Sequence, residues 1–113
     1  MKSNLCSFIA AALLAGTAFA AATISYHLAN TYKFGAASDG REYFDYITFD
    51  PGSRRLYLTH GTEVLVSNAD TGAEEGKISG LKVSHGVAVV PDLGRGFISD
   101  GAQGKAIIFD LKN

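Results

Sequence analysis

Asp45, His60, His85 and Asp100 are the side chains best suited to chemistry in this chain. They form two pairs spaced forty residues apart, Asp45 with His85 and His60 with Asp100. Imidazole changes charge near neutral pH, and carboxylates orient or ligate, so the set suits a ligand site, a zinc-like cation or a proton transfer. Asp45 and His85 are the two that a metal ion would use. The competing role is structural. His60-Gly61 and Asp100-Gly101 are turn dipeptides, and Asp and His tolerate the left-handed region better than most residues. Asp45 and His85 could equally cap an incoming loop through backbone amides. Other motifs carry less. Gly94-Arg95-Gly96 has no helix behind it to bind phosphate. Ser84 and Ser99 lack a nucleophile elbow and a third partner. Asp70-Thr71-Gly72 lacks the remaining calcium ligands. Arg54, Arg55 and Arg95 read as a solvated rim.

The elements that must hold these residues repeat. "DYITFDPGSRRLYLTHG" (45–61) aligns with "HGVAVVPDLGRGFISDG" (85–101) at a shift of forty, matching Pro51 with Pro91, Arg55 with Arg95 and Gly61 with Gly101. A period near forty residues is a repeat signature. Each unit reads as short strands joined by tight turns. The first has strands at 46–49, 56–59, 63–67 and 75–79, the last being the most polar and therefore an outer edge. Asp50-Pro51 suits the first turn, and Gly61 and Gly72 suit positive-φ positions. The second unit has strands at 87–90, 96–99 and 106–109. Its third strand starts late, which places an insertion near Gln103-Gly104. Strand direction puts Asp45, His60, His85 and Asp100 on one face and the arginines on the other. Phe44, Tyr46, Phe49, Tyr57, Phe97 and Phe109 have strand spacing and are expected between the sheets. A further strand, 26–34, precedes a Gly-rich loop.

The chain has 113 residues, 10 Lys and Arg against 11 Asp and Glu, and 13 glycines. No basic stripe is present, which argues against nucleic-acid binding. Residues 1–20 read as a cleaved signal peptide: Lys2, an apolar run from Leu5 to Leu14, and Ala18-Phe19-Ala20, with cutting after Ala20 or Ala22. The stretch to Ala22 contains Ser7, Gly16 and Thr17 and is marginal as a membrane anchor. Cys6 is the only cysteine, so the mature part holds no disulfide, and a periplasmic or secreted location is expected.

The segments "DYITFDPGSRRLYLTHGTEVLVSNADTG" and "HGVAVVPDLGRGFISDG" resemble blades of the YncE-like, YVTN-repeat β-propellers. The likeness is carried by D-P-x-x-R-R-L-Y, V-x-N-x-D-T-G and P-D-x-G-R-G-F. It implies an all-β fold of four-stranded antiparallel blades, about seven in a closed ring. The chain would then be an N-terminal part: 26–34 the outer strand of the closing blade, 45–80 a complete blade, and 85–113 an incomplete one. In such a ring Asp45 and His85 stand at the channel mouth. The implied function is an exported, rigid binding or scaffold module for a protein or small-molecule partner at that face, with no cofactor required by this segment. The alternative is a propeller enzyme or subunit, similar to quinoprotein amine dehydrogenases or gluconolactonase-like metal hydrolases.

Overall fold

The computed structural model describes residues 23–37, 40 and 43–112. The signal-peptide stretch 1–20, with its cleavage positions, lies outside the described residues. The chain divides into two units, residues 1–30 and 31–113. Within the first, residues 23–30 form neither helix nor strand and are exposed throughout. Within the second, the described residues are all-β apart from one short 3-10 turn, and no described helix is long and apolar enough to cross a membrane.

Two antiparallel sheets make up the second unit. The first runs β1 (Phe44–Asp50), β2 (Arg55–His60), β3 (Glu63–Asn68) and β4 (Glu74–Ile78), in that spatial order. The second runs β5 (Ser84–Val90), β6 (Arg95–Asp100) and β7 (Lys105–Asp110). The repeat is visible in the bounds. β5 and β6 begin forty residues after β1 and β2, whereas β7 begins forty-two after β3.

Turn chemistry accounts for both the agreement and the two-residue difference. His60 pairs with Glu63, leaving Gly61-Thr62 as a two-residue turn with Gly61 at φ 61°. Asp100 pairs with Lys105, leaving four residues, and Gly104 at φ 60° takes the left-handed position. At the other end of the strands, the Asp50 carboxylate accepts from the Gly52 amide (3.0 Å) and the Ser53 hydroxyl (2.7 Å). Arg54 then sits at φ 58°, where its counterpart is Gly94 at φ 62°. The turn into β4 is built by Asn68, whose Oδ1 accepts from the amides of Asp70 and Thr71, with Gly72 at φ 72°. β4 is polar and exposed at alternate positions, as an edge strand should be.

The core forms where the sheets meet. Tyr57, Val64, Leu81 and Ile98 are buried, with Val66, Ile78, Val87, Val89, Ile107 and Phe109 packed around them. Burying a side chain such as Ile98 contributes roughly 2–3 kcal/mol, against about 0–1 kcal/mol for each exposed ion pair, so apolar packing dominates. Inside the repeat, one pair of sizes is exchanged. Leu56 faces Ser67 in the first sheet, and Gly96 faces Phe109 in the second. The Phe109 ring lies across Gly96, where an added Cβ would stand 2.1 Å from Cζ, and it reaches Tyr57 at 5.8 Å between ring centroids.

One expectation is corrected, that for the β1 aromatics; residues 26–34, expected as the outer strand of a closing blade, form no strand among the described residues. Alternation supplies a strand's side chains, but the strand itself exists only through a hydrogen-bonded ladder, and none reaches these residues among the described ones. Tyr32 instead bonds the Asp70 carbonyl through its hydroxyl (3.2 Å) and lays its ring on Gly72. Phe44, Tyr46 and Phe49 are 46, 66 and 44% exposed rather than between the sheets. They lie on β1, which pairs in its sheet only with β2 among the described strands.

Candidate functional site

A bulge at the same place in each sheet positions Asp45 and His85. The β1–β2 register shifts between Phe44 and Ile47, and the β5–β6 register between Ser84 and Val87. Asp45-Tyr46 and His85-Gly86 therefore supply the extra residue. A hydroxyl from the facing strand takes up each loosened amide: Thr59 Oγ1 accepts from the Tyr46 N–H (2.9 Å), and Ser99 Oγ from the Gly86 N–H (3.0 Å). Bulges twist a strand and re-aim its side chains. Asp45 and His85 thus lie inside their strands, not ahead of them.

The two bulges meet. His85 Nδ1 is 2.8 Å from Asp45 Oδ2, with the side chains 41 and 22% exposed. Thr59 Oγ1 also lies 3.1 Å from the His85 carbonyl, which ties the first sheet to the second beside the pair. The Tyr43 hydroxyl donates to the same Asp45 oxygen at 3.2 Å. Desolvation first, and the adjoining carboxylate second, hold the Tyr43 phenol above its ordinary value. A carboxylate accepts and does not donate, so His85 Nδ1 carries the hydrogen and Nε2 is the acceptor of the neutral ring. The imidazole rests on Gly101: a Cβ there would stand 2.5 Å from Nε2 and 2.7 Å from Cδ2. The result is a carboxylate-oriented imidazole, able to accept a hydrogen bond or a proton at Nε2.

The other two predicted site residues are not brought into that pair. His60 is fully buried and stacks on Phe44, with centroids 4.0 Å apart and planes at 8°. Asp100 is 1% exposed. Its carboxylate accepts from the amides of Lys82 (2.8 Å) and Val83 (3.1 Å) and from Gln103 Nε2 (2.6 Å). Burial alone would raise the Asp100 pKa, but these donors outweigh it and leave the carboxyl below the ordinary aspartate value. The loop-capping role considered for Asp45 and His85 therefore belongs to Asp100, which fastens the segment between the sheets. Ser84 helps from the other side, its hydroxyl lying 3.0 Å from the carbonyls of Gly61 and Glu63.

Four ionisable groups expected at one mouth thus resolve into one dyad and two buried structural residues. Among the described residues, no group of three or more His, Cys, Asp and Glu side chains is placed to hold a metal ion. At the opposite end each arginine meets a carboxylate: Arg54 with Asp70, Arg55 with Glu75 and Arg95 with Asp110. The Arg54 guanidinium holds Asp70 below the usual carboxylate range. Residue-by-residue reading of the sequence misses two features. One is the seating of His85 on Gly101, which no local pattern announces because the two residues are brought together only by the pairing of β5 with β6. The other is a cleft of about 430 Å³ between the sheets, floored by Tyr57, Val66, Ile78 and Phe109 and rimmed by Arg55 and Glu75. Its walls come from both repeats, so no local motif announces it.

Comparisons with protein-family models, curated proteins and solved structures return no match to this chain.

Proposed function

We propose that the two sheets are successive blades of an exported, YVTN-like β-propeller, and that the chain acts as a rigid binding module. Its ligand, a small molecule or a protein partner, occupies the face that carries Asp45 and His85. One observation carries this reading. A forty-residue translation carries the bounds of β1 and β2, their bulge and its hydroxyl cap onto β5 and β6, and the two residues at the equivalent bulges meet as a partly exposed carboxylate–imidazole pair. Such a pair is oriented by the fold before any ligand arrives, which lowers the ordering cost of binding. It offers acceptors at Asp45 and at His85 Nε2, so the ligand should present hydrogen-bond donors such as hydroxyl or ammonium groups. Binding is the reading we take because a fold by itself confers no chemistry, and the hydroxyls beside the dyad are already engaged: Tyr43 with Asp45, Thr59 with the Tyr46 carbonyl and Ser99 with the Gly86 amide.

The test follows the His85 ring by NMR while glucose, ethanolamine and zinc chloride are titrated separately into the full chain. Saturable shifts with glucose or ethanolamine, lost in Asp45→Asn and His85→Ala, are the expected result. No saturable response to any probe sinks the proposal. Stoichiometric zinc binding with lactone hydrolysis would move the assignment to the metal-hydrolase alternative.

A further inference from the structure

Charge at the dyad is unbalanced. The carboxylates at the opposite end of the strands, Asp70, Glu75 and Asp110, each face an arginine. Asp45 does not. Among the described residues its carboxylate meets His85 Nδ1 at 2.8 Å and the Tyr43 hydroxyl at 3.2 Å, and no Lys or Arg stands within ion-pairing distance. Both of those donors use Oδ2, so Oδ1 takes no hydrogen bond among the described residues. With a neutral imidazole beside it, the pair carries one negative charge. The Asp45 side chain is only 22% exposed, and a charge partly withdrawn from water attracts a counter-ion more strongly than a fully hydrated one.

Two tyrosines border that charge. In the β1 bulge, Asp45 and Tyr46 together oppose Thr59, so both side chains leave the strand on the Thr59 face. That face turns toward the second sheet: Thr59 Oγ1 lies 3.0 Å from the Tyr46 carbonyl and 3.1 Å from the His85 carbonyl. Tyr43, two residues before Asp45, alternates onto the same face, where its hydroxyl reaches Asp45. Phe44 turns to the other face and covers His60. Tyr43 and Tyr46 are 44 and 66% exposed. Tyr46 is held through its backbone alone, and its ring has no hydrogen-bonding or aromatic partner among the described residues. An aromatic ring beside a carboxylate favours a cation, because the negative ring face and the carboxylate attract the same charge.

We infer that this face takes an organic ammonium ion in preference to a neutral polyol. Asp45 Oδ1 is its counter-ion and acceptor, His85 Nε2 accepts a second N–H, and the Tyr46 ring lies against the charged end. The inference rests on the binding reading proposed above and narrows it to cations. Every group it uses comes from β1, the residue before it, and the start of β5.

The test titrates the full chain separately with ethanolamine and with ethylene glycol, in which a hydroxyl replaces the ammonium, following the His85 ring by NMR. It is run at about pH 8, where a free imidazole is neutral and the amine is still charged. Ethanolammonium should bind about tenfold or more tighter than ethylene glycol, the margin of a charge-assisted over a neutral hydrogen bond, and added salt should weaken it. Asp45→Asn should abolish the preference. Tyr46→Ala should weaken ethanolammonium by about two- to fivefold, the worth of an exposed cation–π contact. Its circular dichroism spectrum should not change, since the ring is exposed and Thr59 holds only the backbone. Tyr46→Phe should keep the affinity. Equal or tighter binding of ethylene glycol, or Tyr46→Ala without effect on ethanolammonium, overturns the inference and leaves the binding module standing. If neither probe nor glucose binds, the inference falls together with the reading it rests on.

Discussion

Gly101→Ala isolates the contact that seats His85. Gly101 is not among the positive-φ glycines, which include its repeat counterpart Gly61 at 61°. Alanine therefore fits the backbone at 101, and what opposes it is the imidazole. The new Cβ would stand 2.5 Å from Nε2, against an optimum of about 3.5–4.0 Å between non-bonded atoms, so the ring must move by about 1 Å or more. The 2.8 Å contact between His85 and Asp45 cannot survive that shift. Losing this partly exposed hydrogen bond costs about 0.5–1 kcal/mol. Residual overpacking adds about 1 kcal/mol. The total, about 1–2 kcal/mol, is readable by urea unfolding of the full chain as a shifted midpoint with unchanged slope. In a His85→Ala background the same substitution should cost almost nothing, because the obstructing ring is gone. The expected coupling, about 1 kcal/mol, exceeds the roughly 0.3–0.5 kcal/mol within which independent sites add. Gly61→Ala is the control: it is strained by its φ and should cost the same with or without Asp45. If Gly101→Ala costs equally in both His85 backgrounds, the seating argument is wrong.

Asp100→Ala should destabilise by about 3 kcal/mol, since buried amide donors lose a charged acceptor; chemical unfolding measures it. Because the folded Asp100 carboxyl lies below its ordinary value of 3.8, its contribution is complete above that value and fades as pH falls through the folded pKa. Asp100→Asn should flatten this acid limb in a pH series of melting temperatures. Gly96→Ala drives a Cβ into the Phe109 ring, 2.1 Å from Cζ, and should cost about 1–3 kcal/mol. Phe109→Leu in the same chain should recover part of that loss, read as a partial return of the melting temperature. Expressed with its native start in a bacterial host, the chain should reach the periplasm with an N-terminus at Ala21 or Thr23, readable by intact mass.

Much of the fold was legible because its signals are local. Pro51 and Pro91, Gly61, Gly72 and the alternating Val and Tyr positions each act within a few residues, and a forty-residue period needs only comparison of the chain with itself. Strand order, the polar edge strand and the insertion ahead of β7 followed from these. The bulges were not legible, because a register shift is a property of two strands, and the composition of Asp45-Tyr46 or His85-Gly86 does not encode it. Exposure of the β1 aromatics was likewise hidden, since period-two spacing marks a face without saying what meets it.

The sequence by itself determined a repeated all-β chain with Asp and His at matching positions. Only the tertiary structure decided what each of those residues does. The spacing that makes His60 the counterpart of Asp100 and Asp45 that of His85 is the same, yet the outcomes differ: His60 is stacked and buried, Asp100 holds a loop, and Asp45 and His85 face each other across two sheets. Role depends on which neighbours a side chain meets, and here those neighbours are set by the packing of one repeat on the next.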